Sequence, residues 1–333
     1  MKKILSKILL FFFSFQFISC ETIVEDLDPK MFSDISEKLV MTSFICPQDS
    51  MIFVKLTIST PLFGKIVRLN EDSQKNAFVT IGNSSKFIQL PFLSKENAYG
   101  ISTKQFKIEA GKTYTLKAKT DKMEVEATTT VPLESPKIDR YTIKESLVIR
   151  KIFNGQNSIT NDTLKNYEAI FYWKDLNAFK NYYKIEAILS IEAQVPSVAN
   201  NMVVYKPFMA QYQIRWNDDN YPSTKSYLMD TDNSQNEFKS SRGDLTNFGG
   251  FQKGITFNGQ NYPTKINSSN DKIYVFLSNL SKEFYDYAIS LAAFSSAKDN
   301  PFAEPAPVFS NVKNGLGCFA GYNKSELIIN PKK

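Results

Sequence analysis

Alternation of apolar and polar side chains is the pattern that most constrains the fold of this 333-residue chain. Ile52, Val54, Leu56 and Ile58 share one face of an extended segment, and the residues between them share the other. A period of two is typical of a half-buried β-strand, because successive side chains point to opposite faces of a sheet. The pattern begins near Leu39 and predicts a mostly β protein.

A β-hairpin is predicted further along the same region. Apolar side chains alternate across residues 114–118 and again across residues 125–131, and residues 120–122 form a short polar turn between the two runs. Two alternating segments around such a turn are a strong hairpin signal. With the short strands before it, this hairpin predicts an Ig-like β-sandwich over residues 35–133.

Pro132 and Pro136 mark the end of that first domain, because proline cannot donate a hydrogen bond to a strand ladder. Residues 134–333 are predicted to form a second β-rich domain with more aromatic residues and long polar loops. Residues 217–243 are dense in Asp, Asn, Ser and Lys, which indicates a long loop or a hairpin tip. The predicted strands of this domain are Ile170–Trp173, Tyr182–Ile191, Tyr212–Trp216, Gly254–Phe257 and Lys272–Leu277.

One segment of the second domain changes period. Leu280, Phe284, Tyr287 and other apolar residues recur at the spacing of one helix face. Ser281 is a suitable N-cap, and Glu283 suits the positive end of the helix dipole. The pattern predicts one helix near residues 281–296 that covers part of the C-terminal sheet.

The first twenty residues resemble a bacterial export signal with a lipidation site. Three lysines lie within the first seven residues, an apolar run follows from Ile8, and Ser19 precedes Cys20. The apolar run is too short to span a bilayer, so residues 1–19 are predicted to be a cleaved signal peptide and Cys20 to carry the acyl chains. An ordinary signal peptide that happens to contain a cysteine is the alternative.

Residues 20–34 are predicted to be the lipidated cysteine and an acidic tether. Residues 21–34 carry five acidic groups and one lysine. A flexible linker with no further role explains this segment equally well.

The chain contains no histidine, which excludes several classes of chemistry. Ser-His-Asp and Cys-His catalysis and histidine-ligated metals are excluded, whereas paired-carboxylate hydrolysis and oxygen-ligated calcium are not. Removal of the three signal lysines lowers the net charge from +6 to +3, which gives no electrostatic case for binding nucleic acid. No catalytic residue, cofactor or metal is assigned from the sequence.

Cys46 and Cys318 are the two other cysteines, and each is flanked by apolar residues. Buried free thiols are favoured, because cysteine often behaves as a small apolar residue. A disulfide between the two cysteines is the alternative, since an exported chain permits one.

Five acidic residues are close in sequence within or beside the predicted loop: Asp218, Asp219, Asp230, Asp232 and Glu237. Their oxygens could bind calcium, but residues 230–236 lack the glycine that an EF-type loop needs for its turn. A solvated polar loop is therefore favoured. Among the aromatic residues, Tyr221, Tyr227 and Phe238 lie in this polar region and are candidates for contact with a partner.

The run from Asn300 to Tyr322 resembles the closing signature of a family of Bacteroidota lipoproteins, domain of unknown function 4249. Residues 280–287, 257–260 and 109–114 are similar to other parts of the same family, so the resemblance covers essentially the whole mature chain. The family implies an outer-membrane lipoprotein, often encoded beside a TonB-dependent receptor, and it implies no catalytic residues. A terminal strand that defines the fold explains the prolines and glycines of this run better than a ligand site does.

The leading functional hypothesis is a non-enzymatic accessory or binding partner of a TonB-dependent transporter in nutrient uptake. The protein would be anchored in the outer membrane through Cys20 and exposed at the cell surface, with a periplasm-facing position as the alternative. An adhesive or structural cell-envelope module is the second hypothesis, and a carboxylate-dependent surface enzyme is the third.

Overall fold

The computed structural model describes residues 37–59, 75–153, 159–176, 180–216, 227–229, 237–246, 254–266, 270–298 and 307–331. This part of the chain is mostly β, as the sequence predicts, and contains one α-helix, α1 (Lys282–Lys298). Its strands are β1 (Leu39–Ile45), β2 (Met51–Ile58), β3 (Phe78–Gly82), β4 (Phe87–Gln89), β5 (Phe92–Leu93), β6 (Ala98–Ser102), β7 (Thr113–Lys119), β8 (Glu124–Thr130), β9 (Ile138–Phe153), β10 (Ile159–Lys174), β11 (Tyr182–Ala199), β12 (Met202–Gln213), β13 (Arg215–Trp216), β14 (Tyr227–Met229), β15 (Glu237–Lys239), β16 (Gly243–Thr246), β17 (Gly254–Phe257), β18 (Gln260–Pro263), β19 (Lys265–Ile266), β20 (Lys272–Leu280) and β21 (Leu316–Ile329).

The first hydrophobic core lies between two sheets. One sheet contributes β1, β2 and β6, and the other has the order β4-β3-β7-β8. Ile52, Val54 and Leu56 are buried in this core, so the alternation that predicted β2 identifies its inward face correctly. The hairpin of β7 and β8 is confirmed, and the N–H of Thr120 closes its turn by donating to the carbonyl of Met123 at 2.8 Å. The Ig-like topology stays a prediction.

The second core is built mainly from β10, β11 and β20. Trp173 and Tyr167 of β10 pack in one cluster with Leu189 of β11 and Val275 of β20. β10 has 16 residues and β11 has 18, so both are longer than the strands that the sequence predicts, and β9 also has 16 residues. β9 was not predicted at all.

Two predictions in this region need correction. The strand predicted at 212–216 is divided at Ile214, whose N–H donates to the carbonyl of Ala187 at 2.8 Å, and β13 then pairs with β16 of the other sheet. The loop predicted at 217–243 contains the short strands β14 and β15, which pair with β11 and β10. Both differences arise from pairing with strands distant in sequence, which local patterns do not report.

β21 joins the two cores. The long sheet has the order β12-β11-β20-β21-β1-β2-β6-β5. Residues 316–321 pair in parallel with β1, and residues 322–329 pair antiparallel with β20. Phe319 belongs to the first core and Ile329 to the second. The last described strand therefore completes a sheet that the first described strand begins.

Part of the closing run holds β21 in place. Asn311 accepts a hydrogen bond from the N–H of Phe319 at 3.0 Å and donates its amide to the carbonyl of Phe319 at 2.7 Å. Gly317 has φ of +110°, and a Cβ there would lie 2.2 Å from the carbonyl oxygen of Met41. These contacts support a structural role for the run. Its residues 300–306 lie outside the described part of the chain.

The turn between β1 and β2 is bound to β21 by polar side chains. Asp49 accepts hydrogen bonds from the Tyr322 hydroxyl and the Lys324 ammonium, each at 2.7 Å. Gln48 donates to the side-chain oxygen of Asn323 at 2.9 Å. Burial, followed by the Asp49 carboxylate, raises the pKa of Tyr322, so its hydroxyl remains a donor.

The segment from Pro132 to Pro136 is hydrogen-bonded to side chains of β21. The Asn323 amide donates to the carbonyls of Pro132 at 3.0 Å and Leu133 at 3.1 Å, and the Ser325 hydroxyl donates to the carbonyl of Pro136. The predicted domain boundary is thus bonded to the sheet over its length.

The single described helix confirms the predicted change of period. Ser281 caps it, since the N–H of Phe284 donates to the Ser281 hydroxyl at 3.4 Å. The ring of Phe284 stacks on Phe44 with centroids 4.4 Å apart, and Tyr285 lies against Tyr182 at 4.8 Å. The helix therefore covers the face of the long sheet opposite the first core. No helix in the described residues is long and apolar enough to cross a membrane.

Cys46 and Cys318 are buried free thiols, as the sequence favours. Burial raises the pKa of Cys46 to about 11 and that of Cys318 to about 12. Neither thiol is a reactive nucleophile near neutral pH, because the thiolate is the reactive form.

Replacement of Gly317 by alanine tests the close approach of β21 to β1. We expect Gly317→Ala to lower the free energy of unfolding by about 3 kcal/mol, because it adds both an unfavourable φ and a backbone clash. Gly259→Ala is the matched control, since Gly259 also has positive φ but no atom within 4 Å of a Cβ. We expect Gly259→Ala to lower the free energy of unfolding by about 1 kcal/mol. Urea unfolding measures both variants. Equal losses would contradict the proposed role of the contact.

The thiols predict a specific loss of stability at alkaline pH. A thiol titrates near 9.0 in the unfolded chain and near 11 or 12 in the folded one, so above pH 9 the folded state binds more protons and stability falls as pH rises. We expect a loss of about 1.5 kcal/mol between pH 7.5 and 9.5. Urea unfolding under reducing conditions measures it. The doubly substituted Cys46→Ala, Cys318→Ala protein should lose about 1.5 kcal/mol less than the wild type over the same interval, because the buried tyrosines with raised pKa values contribute equally to both proteins. An unchanged dependence would contradict the assignment.

Candidate interaction surface

The residues predicted for partner contact do not form one described site. Cys20 and Tyr221 lie outside the described residues. Tyr227 is in β14, where its backbone pairs with Lys184 of β11. Phe238 is partly buried in β15, and its ring lies 5.9 Å from Trp173 and 5.4 Å from Tyr183. Packing in the second core accounts for Phe238, and partner contact at these three aromatic residues stays a prediction.

The predicted acidic cluster is described at one position only. Asp218, Asp219, Asp230 and Asp232 lie outside the described residues. Glu237 receives two hydrogen bonds from Arg140, at 3.2 and 2.8 Å, and these bonds lower the pKa of Glu237. The Arg140 guanidinium also lies 3.5 Å from the ring centroid of Tyr172. Among the described residues, no group of three or more acidic or cysteine side chains is placed to hold a metal ion.

A charged cluster closes one end of the second core. Asp271, which precedes β20, is 3% exposed and accepts a hydrogen bond from the Tyr167 hydroxyl at 2.9 Å. The Lys165 ammonium lies 3.8 Å from Asp271 and 3.1 Å from Glu145. Burial, followed by the Asp271 charge, raises the pKa of Tyr167. The tyrosine is therefore a hydrogen-bond donor, and this geometry does not favour it as a base or nucleophile.

Two long hairpins extend beyond this cluster. β10 continues from the core to Ile159, paired with β9 along its whole length, and β11 continues to Ala199, paired with β12. These two extensions were not predicted from the sequence.

Both hairpins leave the core at the same end. Lys165 of β10 reaches Asp271, and the neighbouring Asn270 donates to Glu192 of β11 at 2.9 Å. Residues 165 and 192 therefore lie at the same level, and the strands continue from there toward their turns. β19 also pairs with β11 at residues 193–194, and the Tyr205 hydroxyl donates to the carbonyl of Pro263 at 3.2 Å, so β18 and β19 brace the base of the second hairpin.

The hairpins expose large apolar side chains. In β9, Leu147 is 70% and Ile149 is 66% exposed; in β12, Met202 is 64% and Met209 is 59% exposed. Leu147 and Ile149 share one face of β9, whereas Met202 and Met209 lie on opposite faces of β12. Exposed apolar side chains that lie close together, as in β9, are typical of protein–protein contact surfaces. A sequence signal existed for one of them: residues 194–205 contain no charged residue and have Asn200-Asn201 at their centre, which is typical of a two-residue hairpin turn.

The described chain is thus a mostly β protein with two cores that share a sheet, and its surface is distinguished by two apolar hairpins. The chain belongs to the family described as Domain of unknown function (DUF4249), which matches residues 24–328. The family named from the closing run is therefore confirmed. No curated protein matches the chain.

Substitutions in the charged cluster at the base of the hairpins should differ in their effect on the free energy of unfolding. We expect Asp271→Ala to lower the free energy of unfolding by about 3 kcal/mol, because it leaves the Tyr167 hydroxyl and the Lys165 ammonium without their buried acceptor. Glu145→Gln removes the exposed partner of the same lysine and should cost less than about 1 kcal/mol. Urea unfolding compares the two variants. A small loss for Asp271→Ala would contradict a stabilising role for the cluster.

Proposed function

We propose that this protein is a non-enzymatic accessory binding partner of a TonB-dependent transporter in nutrient uptake. Cys20 anchors it by lipid in the outer membrane, and the folded chain lies at the cell surface. The observation that carries this proposal is the pair of hairpins with exposed Leu147, Ile149, Met202 and Met209. Their exposure costs solvation free energy in the free protein, and a partner that covers them recovers it.

The chemistry of the described side chains supports a binding role over an enzymatic one. The chain has no histidine, and the described carboxylates Asp49 and Asp271 are engaged by neighbouring side chains. Asp49 binds Tyr322 and Lys324, and Asp271 binds Tyr167. Both thiols have raised pKa values. These groups stabilise the fold where they are, so a carboxylate-dependent enzyme has no described residue pair in its favour.

The choice of a transporter rests on the resemblance to Bacteroidota lipoproteins encoded beside TonB-dependent receptors. Family context therefore supports a transporter as the partner, and the exposed hairpins supply the physical reason for a partner. A periplasm-facing position is the alternative placement.

An adhesive or structural envelope module is the second candidate. Within the described residues, β9 pairs only with β10, and its outer edge extends over 16 residues. Long edge strands invite pairing with another chain, which is how structural modules assemble.

Affinity purification of the tagged, full-length protein from native membranes in mild detergent, followed by mass spectrometry, tests the proposal. We expect a TonB-dependent barrel in stoichiometric amounts. The Cys20→Ala variant is the matched control, since it lacks the lipid acceptor and should lose both the membrane fraction and the barrel.

Recovery of the chain alone, with the lipid intact and at low salt, would contradict the transporter proposal. Recovery of higher oligomers of this chain would instead favour the structural module.

A further inference from the structure

The outer edge of β9 is regular and has an apolar centre. Among the described residues β9 pairs only with β10, and from Arg140 to Phe153 this pairing continues without a register shift or a proline. Leu147, Val148 and Ile149 follow one another in this stretch, and all three are exposed. Natural edge strands resist further pairing through prolines, bulges or charges, and of these devices the stretch contains only charges.

The charges of β9 have a self-complementary order. Lys144 and Glu145 precede the apolar centre, and the sequence has arginine and lysine at positions 150 and 151 after it. When a strand pairs antiparallel with a second copy of itself, the residues before the centre lie opposite those after it. Each copy can therefore present a negative charge to a positive one, which stabilises a cross-strand pair.

Backbone geometry limits the registers that two copies can adopt. Successive residues of a strand direct their N–H and C=O groups to opposite edges, so a residue can lie opposite only a residue of the same orientation. In a symmetric antiparallel pair the two-fold axis must then pass through a residue and not between two residues. Each possible register is defined by that central residue.

The side chains favour the register centred on Val148. It places Leu147 opposite Ile149 of the second copy, and Glu145 opposite position 151, a lysine in the sequence. Both pairs occur twice because of the symmetry. Glu145 also lies 3.1 Å from the ammonium of Lys165 in its own chain. A carboxylate has acceptor capacity for two cations, so the two contacts are compatible.

The neighbouring registers lose this ion pair. A pair centred on Leu147 sets Lys144 opposite position 150, an arginine, and like charges directly opposite each other destabilise a sheet. A pair centred on Ile149 sets Leu147 opposite the lysine at position 151. The charges therefore favour one register and oppose those beside it.

The favoured register also keeps the two cores apart. Leu147 pairs with Lys165, whose ammonium lies at Asp271, so β9 extends beyond the core from about this level. In the register centred on Val148, residues 143–153 of the two copies overlap, and the two cores lie at opposite ends of the shared sheet. An overlap of this length provides about ten backbone hydrogen bonds and is longer than a typical strand.

We propose that two copies of this protein form a symmetric dimer through the outer edges of β9, centred on Val148. This inference goes beyond the proposed function and does not depend on it, because the dimer uses β9 and leaves the exposed methionines of β12 to the transporter. Each copy contributes one β9 edge, so the assembly closes at two copies, whereas the assembly of a structural module would continue to grow.

Cysteine crosslinking of the full-length lipoprotein in native membranes tests the dimer and its register. With copper phenanthroline and oxygen as the oxidant, we expect Val148→Cys to give a disulfide-linked dimer, since the Cα atoms of its two copies lie about 5 Å apart. Ser146→Cys is the matched control, because its two copies lie about 13 Å apart along the strands. The wild type should give no linked dimer, since Cys46 and Cys318 are buried. A linked dimer for Ser146→Cys and none for Val148→Cys would overturn the register.

Charge exchange tests the pair that selects the register. We expect Glu145→Lys to weaken the dimer about tenfold in sedimentation equilibrium of the detergent-purified protein, because two opposite-charge pairs become like-charge pairs. Adding Lys151→Glu should restore the affinity. Such a rescue does not arise from the Lys165 contact, because residue 151 pairs with Asn161 of β10, away from Lys165. A double variant as weak as Glu145→Lys would contradict the proposed pair, and thermal unfolding checks that both variants fold.

The dimer and the transporter complex can fail separately. If the wild type recovers the barrel but Val148→Cys gives no linked dimer, the dimer is refuted and the proposed function stands. If Val148→Cys gives the linked dimer but no barrel is recovered with the wild type, the dimer is supported and the transporter proposal fails.

Discussion

The rest of the structure depends on the position of β21 between β1 and β20. Residues 316–321 extend the sheet of the first core, and residues 322–329 extend that of the second. The long sheet of the first core is incomplete without β21, the last strand in the described part of the chain. The two halves therefore depend on each other, because neither stretch of the long sheet is complete without the strand that both share.

Polar side chains along the same strand convert this shared sheet into a fixed junction. Asp49 and Gln48 reach across from the first core, and Asn323 also binds the carbonyls of the segment that connects the cores. Asn323 is buried, and a buried polar group costs free energy unless its hydrogen bonds are made, so it favours one arrangement over others of similar apolar packing.

The two hairpins arise because β9, β10, β11 and β12 extend beyond the second core. Tyr167, Phe171 and Leu189 alternate inward where a second sheet covers them, and the cluster at Asp271 closes that region. Beyond it the strands continue to pair, but Ile149 and Met202 remain exposed on positions that an opposite sheet would otherwise cover. The surface proposed for a partner is thus a continuation of the core pattern into solvent.

Local sequence patterns predicted the structure correctly where interactions within a few residues determine it. The alternation of Ile52, Val54 and Leu56 identified β2 and its inward face, and Ser281 identified the start of the helix, because side-chain period and capping act within a few residues. The closing run identified the family. None of these signals reported which strands are neighbours.

The sequence by itself determined the mostly β class and the exclusion of histidine chemistry, since composition and period are properties of the chain alone; it favoured buried thiols but left a disulfide as the alternative. Only the tertiary structure decided that β21 joins both cores, that Phe238 packs on Trp173, and that two hairpins project with apolar side chains exposed. Pairing between distant strands sets all three, and exposure depends on whether another layer covers a strand, which no local pattern of residues records.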